Sequence, residues 1–429
     1  MKCDIAVVGG GVLGVTTAYW LNALYECSIA LLDKENQICQ HTTMRNTGIV
    51  HRPYYLDPDR KRVFALSAEE SYPLWKDIAS RFDLPWAQVG TLMVATEERQ
   101  NKTLQQYIGW GATNGMDEEE FGLLDESEVR AEEPEVKCTG AIISRLDASS
   151  DYARLTRAVW SAAERNGARL LPRSEVRGVK AAEAGTTVTL GDDRSIVCSL
   201  LINAAGGGAL DVAHMTGLGK EYTDLHFRGD YWTVDEARAP KVSRNVYSVP
   251  RHGEFPFLDP HFIIRADGRR EVGPNAALVA APDTYEGLGG AQLIAMMLER
   301  PILPKAKLFT NGTFLSLAWD EWRSSLSKDA MCNRVRRFLP SLETTMLTSR
   351  GLAGVRSSLI DRNGFVPEAL LLEGDSSLHV LNYNSPGATG APVFSAHVVR
   401  RLRERGFLDG FKEKRAGTPL WDFRATEIE

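Results

Sequence analysis

Hydrophobic and polar positions along this chain switch repeatedly between strand and helix periods. Ile5 to Val8 is a short apolar run rich in β-branched residues, and glycines follow it at once. Val12 to Leu21 then reads as a helix, and Cys27 to Glu35, "CSIALLDKE", as a second strand. Residues 36–60 form a polar loop, and a helix is expected from roughly Lys61 to Phe82. From Asp151 to Leu171 the pattern is that of an amphipathic helix ending at Asn166-Gly167, with Leu155, Val159, Ala162 and Ala163 on one face. A hairpin follows. Val188 and Leu190 alternate with threonines ahead of the turn Gly191-Asp192-Asp193. The apolar run Ile196 to Ile202 ends in Asn203-Ala204-Ala205-Gly206, where a buried strand running into small residues marks a second close approach of backbone to a ligand. Residues 225–285 carry short strand signals broken by glycine and proline, which predict an antiparallel sheet in a lobe of its own. Residues 290–345 read as helical, and residues 351–403 return to strand, loop and helix. No internal repeat or low-complexity linker interrupts the chain, so the lobes are expected to be interwoven.

Composition narrows the class. With 429 residues, 43% hydrophobic and 25% charged, the chain has the make-up of a soluble protein of two or three lobes with a sizeable core. A net charge of −6 argues against a nucleic-acid surface, and no basic run interleaved with aromatics occurs. Cys3, Cys27, Cys39, Cys138, Cys198 and Cys332 stand far apart without a C-x-x-C, so no metal site is expected. Scattered cysteines fit a reducing cytoplasm. Lys2 ahead of an apolar stretch resembles a signal peptide, but Asp4 and the glycines spoil that reading. No apolar stretch reaches the ~18 residues of a membrane span, which leaves peripheral membrane contact open. The acidic residues 115–136 read as a solvated helical face.

Gly9, Gly11 and Gly14 fit G-x-G-x-x-G between a strand and a helix, the order that wraps a dinucleotide pyrophosphate. Asp33 ends the second strand 19 residues beyond Gly14, where a carboxylate meets the ribose hydroxyl. Three features favour a flavin over a nicotinamide. The glycine loop opens the chain, as in many flavoproteins. The polar loop carries Arg45-Asn46-Thr47-Gly48, able to donate to the edges of a flavin ring. Asn384 to Gly390, "NSPGATG", introduces a helix whose first amides can face a ring carbonyl.

The whole chain resembles the D-amino-acid oxidase-like flavoprotein superfamily, and within it the L-2-hydroxyglutarate dehydrogenase/oxidase group. The resemblance is carried by "VVGGGVLG" with "LLDKE", His41 to Tyr55, Phe227 to Trp232, Pro256 to Phe262, Gly273 to Ala276, Ala353 to Gly364, and "NSPGATG". It departs from the group at Met44 and at Arg52-Pro53, and the tail after Arg403 has no counterpart in it. The fold it implies is α/β: a Rossmann-like lobe with a parallel sheet, interwoven with an α+β substrate lobe containing a mostly antiparallel sheet. Residues 1–85, 151–210 and 351–403 would form the first lobe, 86–150 and 211–350 the second, and 404–429 a tail. The resemblance implies non-covalent FAD, held by Gly9, Gly11, Gly14, Asp33, Lys34, Thr43, Arg45, Asn46, Thr47, Val176, Gly206, Gly387, Ala388 and Thr389. His41 is a further candidate for flavin contact. The implied reaction is oxidation of an L-2-hydroxy acid to the 2-keto acid, with electrons leaving to a quinone, another carrier or oxygen.

That reaction needs a cation for the carboxylate, a base for the hydroxyl proton and an acceptor for the hydride. Arg356 offers a bidentate fork and resembles an arginine near the flavin of this superfamily. Arg52, Arg228 and Tyr54 are candidates for a second carboxylate anchor. His261 is the first candidate base and His51 the second, since histidine titrates near neutrality. Tyr55 and Tyr231 are placed to close the pocket. Alternatives are a malate-type dehydrogenase, an amine or amino-acid oxidase on the same fold, and a flavin-binding subunit that turns over only with partners.

Overall fold

The computed structural model describes residues 1–429 except 184, 252–254, 256–258, 415–418 and 429. Pro256, Phe257 and Leu258 of the Pro256–Phe262 motif therefore lie outside the described residues.

The apolar Ile5–Val8 run is the buried part of the strand Lys2–Val8. It pairs in parallel with Ile29–Leu32 on one side and Ser195–Asn203 on the other. The parallel set is completed by Arg169–Leu171 beyond Ile29–Leu32 and by Ser377–Leu381 against the end of Ser195–Asn203. Five segments scattered from residue 2 to residue 381 thus build the parallel part of one eight-stranded sheet. Such a sheet is buried on both faces, which is why these strands read as continuous apolar runs. The expected hairpin is present as antiparallel Val176–Ala182 and Gly185–Leu190, the latter pairing with the start of Ser195–Asn203.

One layer over this sheet is formed by the helices Val12–Leu24, Tyr152–Arg165 and Gly387–Glu404, with Arg62–Arg81 behind. Their contact faces merge into a core that includes Trp20, Trp75, Leu155, Val159 and Phe394. The tail joins it. Trp421 is buried among Tyr19, Trp20 and Trp75, with ring centroids 5.3, 5.7 and 5.9 Å away. Lys412–Glu413 pairs with Tyr25–Glu26.

The second large sheet has eight strands, in the order Leu347–Arg350, Trp232–Val234, Arg270–Gly273, His261–Ile264, Asn245–Ser248, Thr91–Ala95, Gly140–Ser144 and Phe121–Leu124. All neighbours are antiparallel but Asn245–Ser248 and Thr91–Ala95, as the short broken strand signals predict. A third sheet places Thr223–Gly229 between Ala277–Val279 and Gly354–Asp361. Residues 351–403 are thereby divided, with Gly354–Asp361 joining Thr223–Gly229 while Ser377–Leu381 joins the parallel sheet.

Several expectations change. The second strand is shorter, Ile29–Leu32, because Ser28 is tied to the Asp4 carboxylate and Asp33 turns away to cap the glycine loop. The pattern at Arg169–Leu171 is a strand beyond the helix Tyr152–Arg165. The acidic stretch is not one solvated helical face. It contains the strand Phe121–Leu124 with Phe121 buried, and the helix Glu126–Glu132. Glu133 is 1% exposed and accepts from Ser243 and Arg244. Among the described residues of the tail no large apolar side chain is exposed. The large exposed apolar side chains concentrate instead on the helices Ala291–Leu298, Ile302–Phe309 and Gly312–Leu326, with Leu298 62%, Leu303 83% and Trp319 61% exposed. No described helix is long and apolar enough to cross a membrane.

Candidate active site

The glycine loop joins the C-terminal end of Lys2–Val8 to the helix Val12–Leu24, at the crevice where open α/β sheets bind ligands. Two glycines are demanded by close approach. Gly9 has φ +103°, and a methyl there would lie 2.4 Å from the Ala204 carbonyl oxygen. A methyl at Gly14 would lie 1.9 Å from the Gly9 oxygen. Ala204 and Ala205, expected from the sequence to approach a ligand, press against the glycine loop itself, while Ala204 and Gly206 also line the cleft.

Asp33 does not line the cleft. Its Oδ2 accepts from the Gly10 N–H at 2.6 Å and its Oδ1 from Glu35 at 2.8 Å, so it holds the loop from behind. Burial raises its pKa above the usual carboxylate value, against those two amide bonds. Thr43 Oγ1 accepts from the Val12 N–H at 2.9 Å, capping the helix from the 41–48 loop. That loop is locked by Asn46, which donates to the Thr42 and Thr43 carbonyls and accepts from the Gly48 N–H. Arg45 donates to the carbonyls of Gln40 and Ala353 and lies 3.9 Å over the Tyr285 ring. A methyl at Gly354 would meet the Arg45 oxygen at 1.8 Å, so loop and strand are pressed together.

One continuous cleft collects the sequence candidates Gly11, Thr43, Arg45, Asn46, Thr47, His51, Tyr54, Tyr55, Gly206, Tyr231, His261, Arg356, Gly387, Ala388 and Thr389. Arg356 and His261 come from strands of two different sheets, and the rest from loops and the start of the helix Gly387–Glu404. Gly9, Gly14, Asp33, Lys34 and Val176 lie outside its lining. Lys34 is half exposed and paired with Asp283 at 2.8 Å. Val176 is buried at the head of the hairpin. His41 is also outside, its ring between Glu35 and Tyr285.

Two arginines expected at the substrate do not reach it. Arg52 is buried but turned to Glu69 and Glu120, the latter at 2.6 Å, and to the Tyr72 ring. Burial first, and then the neighbouring Glu120, raise the Glu69 pKa to about 7 against the pull of Arg52. Arg228 pairs with Asp230 at 2.9 Å and donates to Ser325 and the Gly287 carbonyl. A buried guanidinium finds its partners inside the fold, and these two are committed.

Arg356 does face the cleft. It stands on Gly354–Asp361, and burial lowers its pKa, opposed by Tyr55 and Tyr231. His261 is 2% exposed and stacked on Tyr247 at 3.6 Å. Burial holds its pKa well below the ordinary value, so its ring is neutral, and its Nδ1 has no hydrogen-bond partner among the described residues. His51 leaves the short strand Ile49–Val50 and contacts Asp147 at 2.9 Å. Sequence reasoning missed Tyr247, Tyr152 and Asp147. Tyr152 has its hydroxyl 2.6 Å from that of Thr389. None belongs to a motif, and strand alternation in "NVYS" carries no sign that Tyr247 lies between two histidines.

The donor set fits a flavin dinucleotide: a glycine loop packed too tightly for a side chain at Gly9 or Gly14, with Gly11 on the cleft, a helix N-terminus, and polar side chains and loop amides around a long cleft. Comparison with known proteins agrees. The FAD dependent oxidoreductase (DAO) family model matches residues 4–401. The L-2-hydroxyglutarate dehydrogenase of Salmonella houtenae is 27% identical, over 93% of this chain and 93% of that protein. The mitochondrial L-2-hydroxyglutarate dehydrogenase of Nematostella vectensis is 27% identical, over 94% of this chain and 91% of that protein. Among solved structures, the FAD-bound L-α-glycerophosphate oxidase of Mycoplasma pneumoniae superposes with a TM-score of 0.75 at 20% identity, covering 98% of this chain and 97% of that one. Glycine oxidase of Geobacillus kaustophilus gives 0.69 at 16% identity, covering 100% and 98%. The expected α/β flavoprotein fold and FAD cofactor therefore stand, and the chain belongs to the DAO family of FAD-dependent oxidoreductases.

Proposed function

We propose that this enzyme oxidises an L-2-hydroxy acid of the 2-hydroxyglutarate type to its 2-keto acid. The observation that carries the reading is the meeting of Arg356, His51 and His261 in the cleft that the glycine loop opens into. Relatives named for L-2-hydroxyglutarate at 27% identity support it.

Arg356 holds the substrate carboxylate through a bidentate pair, strengthened because the site is buried. One histidine of the pair takes the hydroxyl proton as the hydride leaves the carbon. Bound FAD supplies the hydride acceptor. Gly9, Gly11 and Gly14 with the Val12–Leu24 N-terminus would hold its pyrophosphate. Thr43, Arg45, Asn46 and Thr47, with Gly387, Ala388 and Thr389, would line its ring. Tyr54, Tyr55 and Tyr231 enclose the substrate space and keep water from it. With Arg52 and Arg228 committed elsewhere, a second carboxylate would meet the hydroxyls of Tyr54 or Tyr55. Electrons would pass to a quinone, another carrier or oxygen, and the exposed apolar helices between 291 and 326 would be the face for a peripheral membrane contact.

The test is the visible spectrum of the purified protein, followed by anaerobic L-2-hydroxyglutarate, L-malate and amino acids in turn. Bleaching by L-2-hydroxyglutarate is expected. Bleaching by an amino acid alone would move the reading to amine oxidation, and no bleaching by any of them to a partner-dependent subunit.

A further inference from the structure

We propose that Asp147 is a positioning residue that fixes the His51 tautomer and makes His51, not His261, the base; this rests on the hydroxy-acid reading above. Asp147 lies outside the cleft lining, follows Gly140–Ser144, and is 0% exposed. Its carboxylate has three donors. His51 Nδ1 is 2.9 Å from Oδ2, while the Arg52 N–H (3.0 Å) and the Ser144 hydroxyl (2.6 Å) donate to Oδ1. A carboxylate so surrounded only accepts, so Nδ1 carries the hydrogen. The Nε2 lone pair is then left on the cleft side, where Tyr247 Oη lies 3.4 Å away.

The two histidines sit in opposite environments. His261 is packed face to face on Tyr247, and no carboxylate among the described residues hydrogen-bonds its ring; burial first and then His51 oppose any charge it would take up, with Asp259 offsetting them only in part. His51 has a buried carboxylate against Nδ1, which stabilises the cation formed when Nε2 accepts the substrate hydroxyl proton. The proton stays on Nε2 and the Nδ1 hydrogen stays on the ring, so Asp147 orients and compensates without being protonated. The other groups facing His51 do not compete. Tyr247 and Tyr55 are buried phenols with pKa raised by burial, so they stay protonated and put no charge against the ring; the Tyr247 hydroxyl donates to Nε2 until the substrate hydroxyl takes its place. The Arg52 guanidinium turns away to Glu69 and Glu120, and Thr389 Oγ1 accepts the His51 backbone N–H at 3.3 Å. His261 and Arg356 share the cleft.

Histidine-ring ¹⁵N correlation spectra of the substrate-free holoenzyme test the tautomer directly, whatever the substrate is. His51 is expected as the Nδ1–H form, and a proton on Nε2 would overturn the proposal even if the Asp147 variant failed to fold. In the Asp147→Asn holoenzyme, kcat should fall about 100-fold or more with KM within about threefold. The acid limb of its pH profile should move to lower pH as the cation loses its partner. Under the same conditions His261→Gln should keep the wild-type limb. An Asp147→Asn enzyme with wild-type kcat and limb, or a limb lost in His261→Gln, would overturn it. Failure of every hydroxy acid to bleach wild-type flavin would sink the substrate reading and leave the tautomer result standing.

Discussion

Arg356 is the residue on which substrate binding turns. Its guanidinium presents a planar fork on a buried strand, and lysine at the same place offers a point charge on a shorter reach. Charge-assisted bonds are worth about 1.5–3 kcal/mol each, so Arg356→Lys should raise KM for the hydroxy acid about 10- to 100-fold. The visible spectrum of bound flavin should be unchanged, and a KM within twofold of wild type would remove Arg356 from the carboxylate. Residue identity alone ranks three arginines as candidates. What separates them is place: Arg356 lines the cleft, while Arg52, paired with Glu69 and Glu120, and Arg228, paired with Asp230, lie outside its lining.

At the scale of elements, local chemistry was readable where periodicity is strong. The Lys61–Phe82 expectation differs from the helix Arg62–Arg81 by one residue at each end, and Tyr152–Arg165 stops where Asn166-Gly167 predicts. Short strands were less readable, since Arg169–Leu171 is three residues long and takes its state from its neighbour Ile29–Leu32. The tail shows the same effect. Its apolar residues have no clear period, yet Trp421 is 3% exposed and wedged between the helices Val12–Leu24 and Arg62–Arg81. Trp421→Ala should cost about 3–5 kcal/mol, read as a lower urea midpoint of the holoenzyme. A loss below 1 kcal/mol (about the scale of a surface change) would show the tail to be an ornament on a core stable without it.

Across the whole molecule, buried titratable groups tie stability to pH. His379 stands within the strand Ser377–Leu381 and is fully buried, which lowers its pKa to about 4. The unfolded chain therefore binds a proton first as pH falls below 6.5, and the stability held above that pH is lost down to about 4. His379→Gln should flatten this part of the urea stability curve, whereas an unchanged slope would assign the loss to other groups. The exposed helices between 291 and 326 make a second whole-molecule prediction. On the membrane-contact proposal above, the holoenzyme should co-sediment with lipid vesicles, and Leu303→Asp with Trp319→Asp should abolish this without altering flavin bleaching. Equal sedimentation of the variant would exclude that face.

The glycine spacing, the carboxylate closing the second strand and the order of later motifs were enough for the α/β class, the dinucleotide cradle and the flavin. The glycine spacing is local, since steric need and hydrogen bonding act there within a turn or two of chain, whereas the motif order runs from His41 to Gly390 and is legible only as a resemblance to a family. The working faces of the cleft were not legible in this way. His51 meets Asp147 across 96 residues, and Tyr247 meets His51 across 196. Such pairs are set by strand register and by which buried charge finds which partner, and a linear pattern records neither.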